Sequence, residues 1–160
     1  MRQVYDVTHN TAKLETHKVD GRERRLLIHR KGATRAFPPG AVQIPPAYRK
    51  MGQPVIIGGS METGSYLLAG VGTGAHTFYT TAHGSGRVMS RRKAKHQFRG
   101  TELRRSMAAR GIYVHAASMA GLAEEAGGAY KNIDDVIEAA AKSGISRPIV
   151  RFVPVGNVKG

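Results

Sequence analysis

Proline and glycine break the first half of this chain at such short intervals that no long helix can run through it. The stretch Gly32 to Gly40 ends in Phe37-Pro38-Pro39-Gly40, and Ile44-Pro45-Pro46 follows closely. Each proline removes an amide donor and clashes with the preceding turn of a helix. Segments between such breaks must be short, and the apolar, β-branched runs there suit strands. Val4 to Val7, Arg25 to His29, Pro54 to Gly58, Ser65 to Val71 and His76 to Thr81 all read as β.

The second half is different. Arg87 to Phe98 and Thr101 to Arg110 are good helix formers, parted by Gly100 and stopped by Gly111. Ile112 to His115 reads as a short strand. Asn132 to Ser143 is the clearest helix: Asn132 can cap it, acids sit in its first turn, and Ile133, Val136, Ile137, Ala140 and Ala141 form an apolar stripe ending at Gly144. Ile149 to Val155 reads as a last strand. No fixed repeat or low-complexity linker divides residues 1–160, so the expectation is one α+β unit, with strands and Gly-rich loops first and helices later.

Charge narrows the function. Lys and Arg number 25 against 11 acids, a net charge of +14, which suits a polyanionic partner such as nucleic acid or nucleotide phosphate. Nine of those cations (Arg87, Arg91, Arg92, Lys93, Lys95, Arg99, Arg104, Arg105 and Arg110) lie in one segment with a single acid, Glu102. Glu124 to Glu138 is acidic by comparison. With no cysteine there is no disulfide, thiolate metal site or catalytic thiol, so any metal must use His, Asp or Glu. No apolar run approaches the roughly 20 residues of a membrane helix, and the start of the sequence lacks a secretory signal. A soluble, cytoplasmic protein with no membrane partner is expected.

The strongest local constellation is Thr80-Thr81-Ala82-His83-Gly84-Ser85-Gly86-Arg87, a strand entering a glycine-rich turn and then a basic helix. Glycines let backbone amides approach phosphate oxygens, and a helix N-terminus favours negative charge. At its entrance His83 could attack phosphorus, act as a base or ligate metal, or serve only as a structural hydrogen-bonding residue. Arg87, Arg91, Lys95 and Arg99, spaced by four, drift by about 40° per step and would line one helical face. Such a ridge is either a solvated face or a phosphate site; like charges at this spacing call for a compensating anion.

Other features are weaker. Gly58-Gly59-Ser60-Met61 and Gly64-Ser65 could hold a nucleotide or form a tight turn. No GxxxxGK[ST] loop, GxGxxG fingerprint or GxSxG elbow occurs, which excludes a P-loop enzyme and leaves an acyl hydrolase unsupported. In Tyr5-Asp6-Val7-Thr8-His9-Asn10, the His and Asn either meet a metal and a nucleotide or shape a turn. His17, His29, His76, His96 and His115 read as structural or surface residues, and Lys159 as a solvated tail.

Taken together, these blocks resemble the RtcB-type RNA-splicing ligases. Tyr5 to Asn10, His29 to Phe37, Gln53-Pro54-Val55, Gly59-Ser60-Met61, His83 to Arg87, Arg110-Gly111-Ile112 and Val158-Lys159-Gly160 occur in the family's order, across essentially the whole chain. The resemblance implies a GTP- and manganese-dependent ligase that joins an RNA 3′-phosphate or 2′,3′-cyclic phosphate to a 5′-hydroxyl, in tRNA splicing and RNA repair. It puts the guanylylated histidine at His83 and a manganese ligand at His9. Asn10, Gly58, Gly59, Ser60, Met61, Ser65, Gly84, Ser85, Gly86 and Lys159 match nucleotide contacts, and Arg87, Arg91 and Lys95 match basic residues for RNA. Lys159 thereby gains a role that its position alone does not suggest. Gly58 stands where the family has Pro, and Ser85 where it usually has Ala. Only the C-terminal third of a full member is matched. Its preceding portion supplies an Asp, a Cys and two further His to the metal centre, so a separately encoded N-terminal portion, and an archease-type activator, are implied partners. A non-catalytic RNA-binding remnant is the alternative expectation.

Overall fold

A computed structural model describes residues 3–160. In chain order the elements are β1 (Asn10–Val19), β2 (Arg22–Lys31), β3 (Ala33–Arg35), β4 (Pro54–Gly58), β5 (Ser65–Gly70) and β6 (Thr80–Ala82). There follow α1 (Arg91–Gln97), α2 (Gly100–Ala109), β7 (Tyr113–Ala116), α3 (Met119–Glu124), α4 (Ile133–Lys142), β8 (Ser146–Phe152) and β9 (Gly156–Lys159). The fold is mixed α+β, as the sequence leads one to expect. No helix among the described residues is long and apolar enough to cross a membrane. The residues gather into two compact units. The first takes in residues up to Ile57, Leu67–Gly84 and Ile137–Val150, and the second Gly58–Tyr66, Ser85–Val136 and Arg151–Gly160.

In the first unit, β1 and β2 form an antiparallel ribbon from Asn10↔Lys31 to Val19↔Arg22. Its two-residue turn, Asp20-Gly21, has φ of 51° and 78°, the left-handed pair that matches strand twist in a hairpin. The inward face of the ribbon is polar along β1, while β2 adds the half-buried Leu26 and Ile28 beside the buried Arg30. Arg30 is 2% exposed and donates to both Glu15 carboxylate oxygens (2.7 and 2.9 Å), to Thr80 Oγ1 (3.0 Å) and to the Phe78 carbonyl (3.0 Å). The buried His17 Nε2 lies 2.9 Å from the same carboxylate. β3 and β6 pair antiparallel, Ala33↔Ala82 to Arg35↔Thr80. A three-stranded sheet has the order β4-β5-β8, with Val55, Ile57, Leu68 and Ala69 buried. Pro148 is tolerated because β8 is an edge strand.

In the second unit, Met107, Ile112 and Leu122 form a core joined by Met61, Leu103, Val114, Ala116 and Met119. The parallel pair β7–β9 runs beside it in register Tyr113↔Gly156 to Ala116↔Lys159. Ser118 caps α3, accepting from Gly121 N at 3.0 Å. The Asn132 side chain accepts from Asp134 N at 3.0 Å, the cap its position predicts.

Several boundaries differ from the sequence reading. Val4 to Val7 is not a strand; no partner strand reaches it among the described residues, and the Tyr48 hydroxyl donates to the Val4 carbonyl instead. His76 to Thr81 is mostly not β. A 3-10 turn occupies Gly72–Thr77, and Phe78 and Tyr79 both have φ of 52°, leaving only Thr80–Ala82 extended. The helix expected from Arg87 begins at Arg91, because the Ser90 hydroxyl caps it through Lys93 N at 3.1 Å, and Arg87 instead forms a bridge with Tyr130. The last strand lies earlier, at Ser146–Phe152, with Val153 to Val155 outside it. Strands β1, β3 and β9 and helix α3 are additional.

Candidate active site

The short β3–β6 ladder positions His83. Ala33 pairs with Ala82, so Gly32 and His83, one step beyond the ladder, come face to face. A Cβ on Gly32 would lie 3.4 Å from His83 Nε2, and the φ of +64° at this position disfavours one. The Gly32 amide donates to the His9 carbonyl at 2.9 Å and more distantly to Asn10 Oδ1 at 3.4 Å. That bond folds His9 over His83. Their rings stack with centroids 4.6 Å apart and planes 10° from parallel. His9, Asn10 and His83 thus lie together around Gly32 within the first unit, with Gly84 next to His83 in sequence.

Both imidazoles are exposed enough to meet a ligand. Partial desolvation, and then the charge of His9, push the His83 pKa below the ordinary imidazole value of about 6.5. Both influences favour the neutral imidazole, the form that offers a free lone pair. A neutral imidazole beside a glycine-rich turn is chemically able to attack an electrophilic phosphorus or accept a proton.

Among the described residues no group of three or more His, Asp or Glu side chains is placed to hold a metal ion. The stacked imidazoles of His9 and His83 do not amount to a manganese centre. An ion bound at His9 would need its remaining ligands from elsewhere.

The other predicted contacts lie in the second unit. Gly58 ends β4, and its carbonyl accepts from Ser85 N at 2.8 Å. Gly59 to Gly64 form a closed turn, in which Gly59 N donates to the Gly64 carbonyl at 2.8 Å and Ser60 N to Thr63 Oγ1 at 2.9 Å. The Ser60 hydroxyl is engaged with Thr63 Oγ1 (3.1 Å) and Glu62 N (3.2 Å), so the tight-turn reading describes its side chain. The Met61 side chain packs on the core, while its carbonyl accepts from Asn157 Nδ2 at 3.1 Å. Ser65 opens β5. Ser85 is 4% exposed and its Oγ has no hydrogen-bond partner among the described residues, so a ligand group could satisfy it. Gly86 follows with φ of +73°, and its carbonyl accepts from Lys131 N at 3.0 Å. Lys159 lies in β9 rather than in a loose tail, and its carbonyl accepts from Ala117 N at 2.9 Å.

The basic ridge is rearranged. Arg87 lies before the helix and is held by the carbonyls of Met89 (3.1 Å) and Glu124 (2.6 Å) and by the Tyr130 hydroxyl (2.9 Å), with its guanidinium carbon 4.7 Å from the Tyr130 ring centre. Arg91 and Lys95, on α1, point to the carboxylates of Glu124 and Glu125. The compensating anions that the spacing calls for thus come from the end of α3. Sequence reasoning recorded those two acids but had no means to attach them to the ridge. It also missed Glu62, which accepts from Arg110 Nη2 at 2.6 Å and from Gly127 N at 2.7 Å.

Comparison with known proteins identifies the family. The family model described as tRNA-splicing ligase RtcB matches residues 1–160. The tRNA-splicing ligase RtcB of Pyrococcus furiosus is 54% identical over 161 residues, covering all of this chain and 17% of the relative. That of Thermococcus kodakarensis is 52% identical, covering all of this chain and 33% of the relative. The RNA-splicing ligase RtcB of Mycobacterium tuberculosis is 52% identical over 157 residues, covering 98% of the chain and 36% of the relative. The chain spans about a third, or less, of the length of these relatives.

Proposed function

The chain belongs to the RtcB family, and from that membership we propose that it carries the nucleophile and part of the nucleotide site of a GTP- and manganese-dependent RNA ligase. The observation that carries the reading is the exposed His83, just beyond β6, with its ring stacked on that of His9.

In this reading an imidazole nitrogen of His83 attacks the α-phosphorus of GTP. A phosphorus–nitrogen bond forms, the bond to the departing pyrophosphate breaks, and the other ring nitrogen gives up its proton. The RNA 3′-phosphate then takes GMP from His83, and the RNA 5′-hydroxyl displaces GMP to leave a phosphodiester. Imidazole suits both halves, being nucleophilic when neutral and a good leaving group when protonated. By the family match Gly84 and Gly86 bring backbone amides to the transferring phosphate, and Ser85, whose own amide is held by the Gly58 carbonyl, flanks them. Gly58 to Met61, Ser65, Asn10 and Lys159 are assigned to the guanylate by the same match. Manganese would neutralise triphosphate charge when bound. Of this chain's residues only His9 is assigned to it, so its other ligands come from the portion of a full-length relative that this chain does not match.

Intact-mass analysis after incubation with GTP and manganese tests the proposal. The 160-residue chain is measured alone and with a separately supplied N-terminal portion of a full-length relative. A GMP adduct in the complemented mixture, abolished by His83→Ala, is expected. No adduct there overturns the nucleophile assignment. An adduct on the chain alone overturns the claim that metal ligands must be supplied from outside.

A further inference from the structure

The ridge cations fall into two kinds. Arg87 is immobilised: its side chain is 22% exposed, three hydrogen bonds engage its guanidinium, and the Tyr130 ring packs on it. Arg91 and Lys95 have 70% and 45% exposed side chains, and the only partners recorded for them among the described residues are carboxylates. Arg91 Nε lies 3.7 Å from Glu124 Oε2 and 3.8 Å from Glu125 Oε1, and Lys95 Nζ contacts Glu124 Oε1. The two acids are the more enclosed members, with side chains 20% and 18% exposed. The hydrogen bond from Lys95 is the largest influence on Glu124, lowering its pKa despite desolvation, and the charges of Lys95, Arg91 and Lys159 act in the same direction.

A carboxylate offers the same planar pair of oxygens that a phosphodiester offers a cation. Exposed pairs of this kind are worth about 1 kcal/mol or less, so a polyanion can displace them. Arg87 reaches Glu124 through the backbone carbonyl, a bond that survives when the Glu124 carboxylate leaves. Glu125 is also approached by Arg87 Nη1 at 3.8 Å and by the Tyr130 hydroxyl, so Glu124 is the freer of the two acids.

We infer that Glu124 and Glu125 occupy the phosphate positions of Arg91 and Lys95, so that RNA binds this face by exchanging its backbone phosphates for these two carboxylates. Such an internal competitor discriminates against weak or isolated anions and favours a strand that presents several phosphates together. The inference rests on the assignment of the ridge to RNA.

Binding of a fluorescent single-stranded oligoribonucleotide ending in a 3′-phosphate is measured by anisotropy across a salt series. Glu124→Gln is compared with Glu138→Gln, which removes the same charge from an i,i+4 pair with Lys142. Glu124→Gln should tighten binding about two- to five-fold beyond that control, and Arg91→Gln with Lys95→Gln should cost more affinity in the Glu124→Gln background than in the original chain. An unaltered or weaker affinity for Glu124→Gln, with the paired cation variant still weakening binding, overturns the exchange alone. Indifference to the cation variant in both backgrounds overturns the ridge assignment and the exchange with it. The unaltered chain gives a second readout free of folding effects: saturating RNA should return the 13C-detected carboxylate titration of Glu124 towards the ordinary range, and a midpoint unmoved by RNA overturns the exchange.

Discussion

The imidazole of His9 lies flat on that of His83, their planes within 10° of parallel, so each ring is part of the other's electrostatic environment. Protonation of His9 opposes protonation of His83. The His83 titration followed by NMR should have its midpoint below about 6.5, and His9→Ala should move it upward, with burial still holding it below the free value. Because the folded chain binds its proton at lower pH than the unfolded one, this group's contribution to stability falls as pH drops from about 6.5 through the folded midpoint. A midpoint indifferent to His9→Ala would count against the coupling.

Gly32→Ala adds a methyl 3.4 Å from His83 Nε2 at a φ of +64°. The expected cost is about 1 kcal/mol in stability from the left-handed backbone. The adduct-forming rate in the complemented mixture should fall further than stability accounts for, because the Nε2 edge is crowded. Urea unfolding and single-turnover mass analysis separate the two effects.

Ser85→Ala removes a buried hydroxyl that has no partner among the described residues. An unsatisfied buried polar atom costs about 1 kcal/mol or more, so the substitution should raise the thermal midpoint. The adduct-forming rate should stay near that of the original chain, since backbone amides rather than the Ser85 hydroxyl are assigned to phosphate. A large loss of rate would instead give the hydroxyl a direct ligand contact.

Glu15→Gln breaks a bidentate pair with Arg30, which is 2% exposed, and also unpairs the buried His17. Leaving Arg30 buried without its carboxylate should cost about 3 kcal/mol in chemical denaturation. Burial alone would raise the Glu15 pKa, but hydrogen bonds and charge from Arg30 and His17 overcome it and lower the value. The stability so gained is present above the ordinary carboxylate range and lost as pH falls through the folded value, so Glu15→Gln should also flatten the acid limb of the stability profile.

Where apolar periodicity carried the information, the sequence was readable: β4 and the α4 stripe, with Ile133, Ile137 and Ala140 buried, lie where the pattern puts them. The ribbon strand β1 was not. Its inward positions are Thr11, Lys13, Glu15 and His17, of which Glu15 and His17 are buried by pairing with each other and, through Glu15, with Arg30 across the ribbon, so no apolar alternation marks it. The one local signal was Asp20-Gly21, a strong hairpin dipeptide. Helix α3, six residues with a glycine inside, is too short to show a period, though Ser118 was a readable cap. The histidine pair was legible only as motif fragments far apart in the chain; a three-residue ladder brings them together, and ladder pairing leaves little trace in one sequence.

That ladder also bears on the order in which the chain organises itself. The β1–β2 ribbon closes through a two-residue turn and needs only neighbours in sequence, an event of about microseconds. Ala33 can find Ala82 only after the long intervening segment has been drawn in, a non-local closure of the kind that slows folding. The His9–His83 stack is thus a late assembly product, and conditions that trap partly folded chains will silence His83 while leaving the ribbon intact.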